Sequence, residues 1–143
     1  MKPLPHSVFG FALGVLAGTA SGAEIVTHTV ETPYQNGRQE IRVLLPDTYR
    51  DGKSYRVLYV LPVARGFERR YGNALDILRR MDAHNRYDCI IVQMGFEKEP
   101  WYGDHATDPN TRQESYLKEF VVPFVEKHYR TIGGRGQPYR SGP

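Results

Sequence analysis

Two short runs of almost uninterrupted apolar residues constrain the fold of this chain more than any other feature. Residues 57–61 read VLYVL, and residues 89–92 read CIIV. Such runs are typical of strands that are covered on both faces, as strands in a parallel sheet are. Parallel neighbours need a crossover connection, and apolar residues at helical spacing predict a helix from about residue 71 to residue 84.

A pair of antiparallel strands is predicted ahead of the first apolar run. Ile25–Val30 is rich in β-branched residues, and residues 41–45 form a second apolar segment. Between them, Asn36 and Gly37 make a strong turn signal. The sequence therefore predicts an α/β fold in which an N-terminal antiparallel strand pair is followed by parallel strands with helical crossovers.

A second helix is predicted near the end of the chain. Its apolar stripe at helical spacing consists of Leu117, Phe120, Val121, Phe124, Val125 and His128. Thr111 and Glu114 have the spacing of a capping box, and Asp108 with Pro109 offers an alternative start. Pro123 lies inside this segment and is predicted to kink it.

The first 23 residues have the pattern of a secretory signal peptide. Lys2 precedes an apolar run over residues 8–17, and residues 20–23 are small. The run is too short to span a membrane comfortably, although an uncleaved N-terminal anchor is the alternative. We expect a secreted or periplasmic protein whose folded domain covers residues 24–143 and keeps no stable membrane span.

Composition excludes some partners and some chemistry. The formal net charge is only +3, and the basic residues are interleaved with acidic ones. Nucleic acid binding needs a basic stripe, so it is not expected. Cys89 is the one cysteine, which rules out an internal disulfide. It lies in the second apolar run, and we interpret it as a core residue rather than a nucleophile.

Several segments, taken in order, resemble one family of enzymes. They are LPDTY at 45–49, YRVLYVL at 55–61, ESYL at 114–117, FVVPFVE at 120–126 and YRT at 129–131. This set resembles the esterase family of α/β-hydrolases that includes esterase D, feruloyl esterases and the antigen 85 mycolyltransferases. The resemblance covers residues 43–139. It implies a serine carboxylic-ester hydrolase that acts on a small-molecule ester without metal or cofactor, and a proline in the last helix.

The resemblance also implies that the catalytic triad lies outside this chain. The family places its nucleophile in a G-x-S-x-G turn on the strand after residue 140. None of the serines has the two flanking glycines; they are Ser7, Ser21, Ser54, Ser115 and Ser141. We therefore expect an N-terminal portion of the domain, an incomplete α/β-hydrolase sheet truncated before the nucleophile and inactive alone.

Four residues are candidates for the surviving part of the site. By the resemblance, the backbone N–H of Ala64 would contribute to an oxyanion hole, although Val63 replaces a usual glycine there. Arg65 is a candidate contact for a polar substrate group. Trp101 and Tyr102 are candidates for an aromatic substrate wall. The alternatives are an ordinary loop at residue 64, a solvated Arg65 and loop anchors at 101 and 102.

Asp104, His105 and Asp108 have side chains that can bind metals, but polar loops gather such residues without binding anything. We expect no metal there.

Two rival hypotheses remain open at this point. One is a non-catalytic secreted module that binds through the aromatic loop 95–110. The other is a non-functional truncation product. Since the strand at 57–61 would have an exposed edge in this chain, we expect residues 24–143 alone to be poorly soluble or molten.

Overall fold

Four strands form one mixed sheet in the computed structural model, which describes residues 23–61, 72–96 and 102–133. They are β1 (Ile25–Val30), β2 (Gln39–Leu44), β3 (Arg56–Val60) and β4 (Cys89–Met94), in the spatial order β1-β2-β4-β3. β2 pairs antiparallel with β1 and with β4, whereas β3 and β4 are parallel. The predicted α/β class, with an antiparallel pair joined to parallel strands, is confirmed.

The central strand β4 is buried along its whole length. Ile90, Val92 and Met94 enter one hydrophobic cluster. Cys89 and Ile91 enter a second cluster, on the other face, because successive side chains of a strand point to opposite sides. Cys89 is thus a core residue, as predicted, and burial raises the pKa of its thiol.

Two short helices cover the face of the sheet on which Cys89 lies. They are α1 (Ala74–Arg80) and α2 (Ala83–Arg86). One continuous helix was predicted over residues 71–84, and this is wrong. The helix is interrupted at Asp82, which adopts a left-handed backbone conformation with φ = 56°. Asp tolerates this conformation better than most residues, and its carboxylate accepts a 2.8 Å hydrogen bond from Asn85.

A longer helix covers the opposite face. It consists of α3 (Gln113–Ser115), a π-helical segment (Tyr116–Val121) and α4 (Val122–His128), and is called here the composite helix. Pro123 is the second residue of α4, directly after the π-helical turns. Pro123 has no backbone N–H, so it cannot make the hydrogen bond that an α-helix needs at its position. The wider π-helical turns lie just before it, where the missing bond would otherwise interrupt an α-helix.

The predicted apolar stripe of the composite helix faces the sheet. Val121 and Val125 are fully buried against the cluster that contains Val92. His128, at the end of the stripe, is exposed, and its ring stacks on Phe124 with 4.1 Å between centroids. Its Nδ1 lies 2.7 Å from the Phe124 carbonyl, so this ring nitrogen has a hydrogen-bond partner.

His28 joins the edge strand β1 to the end of the composite helix. Its Nε2 lies 2.6 Å from the hydroxyl of Tyr129, and its ring meets Phe124 edge to face. Burial, with a smaller contribution from His128, lowers the pKa of His28. The residue therefore has a packing role that its position in an edge strand did not predict.

Strand β3 forms one edge of the sheet, and the chain returns to that edge after the composite helix. The N–H of Tyr55 donates to the Arg130 carbonyl at 2.9 Å, and the N–H of Ile132 donates to the Tyr55 carbonyl at 2.8 Å. Because backbone groups alternate along a strand, those of Val57 and Tyr59 face the same edge. In the described part of the chain no strand pairs with them.

The N-cap of α1 is the basis of a first prediction. The side chain of Asn73 accepts hydrogen bonds from the N–H groups of Leu75 and Asp76. We expect Asn73→Ala to lower the free energy of unfolding by about 1 kcal/mol. The measurement is urea unfolding followed by circular dichroism. The control is Asn110→Ala on the exposed loop, for which a change within about 0.5 kcal/mol is expected; equal losses would contradict the capping role.

The exposed edge of β3 is the basis of a second prediction. Leu58 is 46% exposed in the middle of this strand. Leu58→Lys is expected to reduce self-association, because a charge on an edge strand opposes pairing with another strand. The measurement is sedimentation velocity. Met81→Lys introduces the same charge at an exposed position outside the sheet. If both variants reduce association equally, the edge is not responsible.

Candidate functional site

The carboxyl ends of β3 and β4 are the expected ligand-binding edge of this sheet, because ligands of parallel sheets bind there. The N–H of Gly95 donates to the carbonyl of Glu40 at 2.8 Å. This bond extends the ladder between β2 and β4 by one residue. Phe96 is consequently the first side chain to leave the sheet at this edge.

Phe96 is the base of an aromatic group at this edge. Its ring meets Tyr102 edge to face, with centroids 6.5 Å apart, and it meets Tyr116 in the same way at 5.5 Å. Tyr116 stacks in turn on Phe120. Tyr102 is 46% exposed, and partial burial raises the pKa of its phenol, which keeps the group neutral. Tyr102 is therefore an exposed aromatic ring that packs on the partly buried Phe96, which packs in turn on the buried Tyr116.

Only one of the four predicted site residues lies in the described part of the chain. Tyr102 is found at the expected edge, beside Phe96. Ala64, Arg65 and Trp101 lie outside the described residues, so the oxyanion hole, the polar contact and the second half of the aromatic wall stay predictions.

The loop that carries Tyr102 is fastened to the composite helix by Asp104. One carboxylate oxygen accepts the Ser115 backbone N–H at 2.9 Å, and the other accepts the Ser115 hydroxyl at 2.5 Å. Arg112 Nε lies 3.3 Å from the second oxygen. Desolvation acts to raise the pKa of Asp104, but the bonds from Ser115 and the Arg112 charge outweigh it and lower the pKa.

Asp104 also replaces the predicted helix cap. The N-cap residue is Arg112, which makes no capping bond through its side chain. Thr111 instead donates its hydroxyl to Asp108, and Glu114 pairs with Lys118. The capping box at Thr111 and Glu114 is thus wrong, as is the alternative start at Asp108, because the N–H of Ser115 is satisfied from a distant part of the loop.

His105 and Asp108 hold the tip of the same loop. His105 Nδ1 accepts the N–H groups of Thr107 and Asp108, at 3.3 and 3.0 Å. Asp108 accepts the N–H of Asn110 and the Thr111 hydroxyl. Each side chain that suggested a metal ligand thus has a local partner. In residues 23–61, 72–96 and 102–133, no three His, Cys, Asp or Glu side chains are grouped so as to hold a metal ion.

Three buried polar atoms near this loop were not foreseen from the sequence. They are the hydroxyl of Tyr116 and the Nε2 atoms of Gln35 and Gln113, and they have no hydrogen-bond partner among the described residues. Burial raises the pKa of Tyr116 strongly. The sequence did not mark Gln113 for burial, because a glutamine in a first helical turn has the pattern of a surface residue.

Another described cavity lies elsewhere on the sheet. It has a volume of about 1090 Å³ and lies between the β1–β2 edge and helices α1 and α2. Its lining is polar and of mixed charge, including Arg42, Asp76, Arg80 and His84. None of the predicted site residues lines it. The aromatic group at the carboxyl end of β4, formed by Phe96, Tyr102, Tyr116 and Phe120, therefore stays the candidate site.

Comparison with solved structures identifies the class of fold. A ferulic acid esterase is 26% identical, with a TM-score of 0.55, over 80% of this chain and 48% of its own. A CE1 ferulic acid esterase from Anaeromyces mucronatus, solved with ferulic acid, is 20% identical, with a TM-score of 0.56, over 82% and 47%. An S-formylglutathione hydrolase from Agrobacterium tumefaciens is 14% identical, with a TM-score of 0.62, over 80% and 47%.

These neighbours are all esterases, and their shared class is the α/β-hydrolase fold. The resemblance to the esterase family that includes esterase D and the feruloyl esterases is confirmed by them. The chain spans about half the length of the solved structures that it matches. No family model matches the chain, and no curated protein matches it. In the described ranges, no helix is both long and apolar enough to cross a membrane.

The unpaired hydroxyl of Tyr116 is the basis of a third prediction. Tyr116→Phe removes a buried donor that has no acceptor, so the free energy of unfolding is expected to stay unchanged or to rise by up to about 1 kcal/mol. The matched control is Tyr55→Phe. The Tyr55 hydroxyl donates to the Thr48 carbonyl, and losing this bond is expected to cost about 1–3 kcal/mol. Equal losses in urea unfolding would show that Tyr116 does have a partner.

Proposed function

We propose that this chain is the N-terminal portion of a secreted serine carboxylic-ester hydrolase. Residues 1–23 would be the secretion signal, and residues 24–143 would be the first half of an α/β-hydrolase domain. The domain would act on a small-molecule ester in the periplasm or outside the cell. Its nucleophile, acid and histidine would come from sequence beyond this chain, which would be inactive alone.

The geometry of the β3 edge is the observation that carries this proposal. Arg130 and Ile132 pair with Tyr55 in the parallel sense, so the chain runs alongside β3 as it leaves the composite helix. The backbone groups of Val57 and Tyr59 face that side. A further parallel strand there would satisfy them. The solved esterases are about twice as long as the matched region, which supports the same interpretation.

The exposed ring of Tyr102 supports an aromatic surface for the acyl group of the ester. It also supports the second candidate function, a secreted module that binds aromatic compounds through the loop 95–110. Binding of this kind needs the supported ring of Tyr102 but no nucleophile. Ester hydrolysis separates the two functions.

The test is enzymatic and uses two proteins. The coding DNA is first sequenced beyond the codon of Tyr139 in all three frames. The longest product is then expressed beside the 143-residue chain. Hydrolysis of p-nitrophenyl acetate and of methyl ferulate is followed at increasing ester concentration. We expect saturable hydrolysis from the longer product and none from the shorter chain, because acyl transfer needs a nucleophile and its base.

The control is the longer product with the serine of its G-x-S-x-G turn changed to alanine, which should abolish hydrolysis. Saturable hydrolysis by the 143-residue chain would contradict the expectation that it is inactive alone. A stop without any G-x-S-x-G sequence in the three frames would overturn the esterase proposal and favour the binding module.

A further inference from the structure

Tyr102 and the composite helix are joined by a compact set of polar bonds that is independent of the aromatic contacts. Asp104, two residues after Tyr102, accepts the backbone N–H and the hydroxyl of Ser115 and also meets Arg112. The loop closes on itself at the same place. Asp104 and Arg112 form an antiparallel bridge, and the N–H of His105 donates to the Thr111 carbonyl at 2.9 Å.

The helix end of this set is itself fixed. The N–H of Arg112 donates to the carbonyl of Tyr34 at 3.1 Å, and its guanidinium lies 5.4 Å from the centre of the Tyr34 ring. Arg112 NH2 also donates to the Ser115 hydroxyl at 3.0 Å. Ser115 is 5% exposed. Asp104 is therefore bound to groups that the connection between β1 and β2 and the composite helix hold in place.

The ring contact alone is a weak restraint on the loop. Tyr102 meets Phe96 edge to face at 6.5 Å, and such a contact is small compared with the entropy lost when a loop is ordered. Bonds from N–H and O–H donors to a carboxylate are about twice as strong as bonds between neutral groups. Asp104 thus restrains the position of the loop more strongly than the contact between Tyr102 and Phe96 does.

We propose that Asp104 is a positioning residue for substrate: its carboxylate locks the loop to Ser115 and Arg112, and so holds Tyr102 against Phe96 as one wall for an aromatic acyl group. The proposal rests on the proposed esterase function for the identity of the ligand. Asp104 touches neither substrate nor reacting atoms in this arrangement. Its effect is on binding and not on the chemical step.

The test compares variants of the longer product of the coding DNA by NMR, with methyl ferulate as the probe and with the serine of its G-x-S-x-G turn changed to alanine so that the ester is not consumed. Asp104→Ala removes both carboxylate oxygens, which accept from Ser115 and Arg112. We expect this variant to abolish the cross-relaxation between the Tyr102 and Phe96 rings. We expect the same variant to raise the dissociation constant for methyl ferulate at least about tenfold, since an unfixed loop must be ordered again on binding. Asp104→Asn keeps one carbonyl oxygen for the Ser115 N–H and should restore the ring contact and most of the affinity.

Two further variants keep the test decisive. Asp108→Ala removes the same charge from the same loop, and its bonds to Asn110 and Thr111 lie within one turn, so it should leave the ring contact and affinity within about twofold. Ser115→Ala removes only the hydroxyl that donates to Asp104 and should weaken binding about threefold. This variant tests the same contact if Asp104→Ala does not fold. A ring contact that persists in Asp104→Ala, or an equal loss in Asp108→Ala, would overturn the proposal, as would failure of the longer product with native Asp104 to bind methyl ferulate.

The longer product of the coding DNA separates this inference from the proposed function. There, Asp104→Ala should raise KM for methyl ferulate about tenfold and leave kcat within about twofold, because only binding depends on the loop. Normal hydrolysis by Asp104→Ala with an unchanged KM would contradict the positioning role of Asp104 but not the esterase proposal. Binding of methyl ferulate that depends on Asp104, without any hydrolysis, would contradict the esterase proposal but not the positioning role of Asp104.

Discussion

The burial of β4 between two helical layers is the constraint on which the rest of the structure depends. All six residues of this strand are buried, and its two faces contribute to two separate hydrophobic clusters. A strand in that position must have neighbours on both edges, because its buried backbone groups need partners. β2 and β3 provide them, in opposite directions. The mixed sheet, the helices on its two faces and the position of the candidate site all follow from that arrangement.

The candidate site arises where β4 leaves this protected position. Gly95 makes the last ladder bond, and Phe96 then packs between Tyr102 and Tyr116. The same edge receives the start of the composite helix, whose N–H at Ser115 is capped by Asp104. One carboxylate thus satisfies a helix terminus and orders the loop that presents an aromatic ring. A structural requirement of the helix and the geometry of the site are met by the same group.

The similarity to solved esterases concerns the part of the fold that supports chemistry and not the chemistry itself. Ferulic acid esterases and S-formylglutathione hydrolase share this arrangement over about half of their own length. Among the described residues no strand pairs with the outer edge of β3, where Leu58 is exposed and Arg130 to Ile132 begin to pair. A further strand beside this apolar strand would cover that edge, which is why the sheet and the esterase proposal support each other.

The sequence by itself determined the elements whose signals are local. The apolar runs that became β3 and β4, the β-branched segment of β1 and the stripe from Leu117 to Val125 are patterns of burial, and burial depends on the spacing of neighbouring residues. The order of the strands and the cap that Asp104 places on Ser115 were decided by the tertiary structure. Both join groups that the fold brings together, and no spacing along the chain encodes which distant acceptor a helix terminus will find. The break at Asp82 is local, but a left-handed Asp residue leaves no mark in the hydrophobic pattern. Tyr102 could be named from the sequence as a candidate for an aromatic wall, whereas the contacts of Asp104 with Ser115 and Arg112 beside it could not.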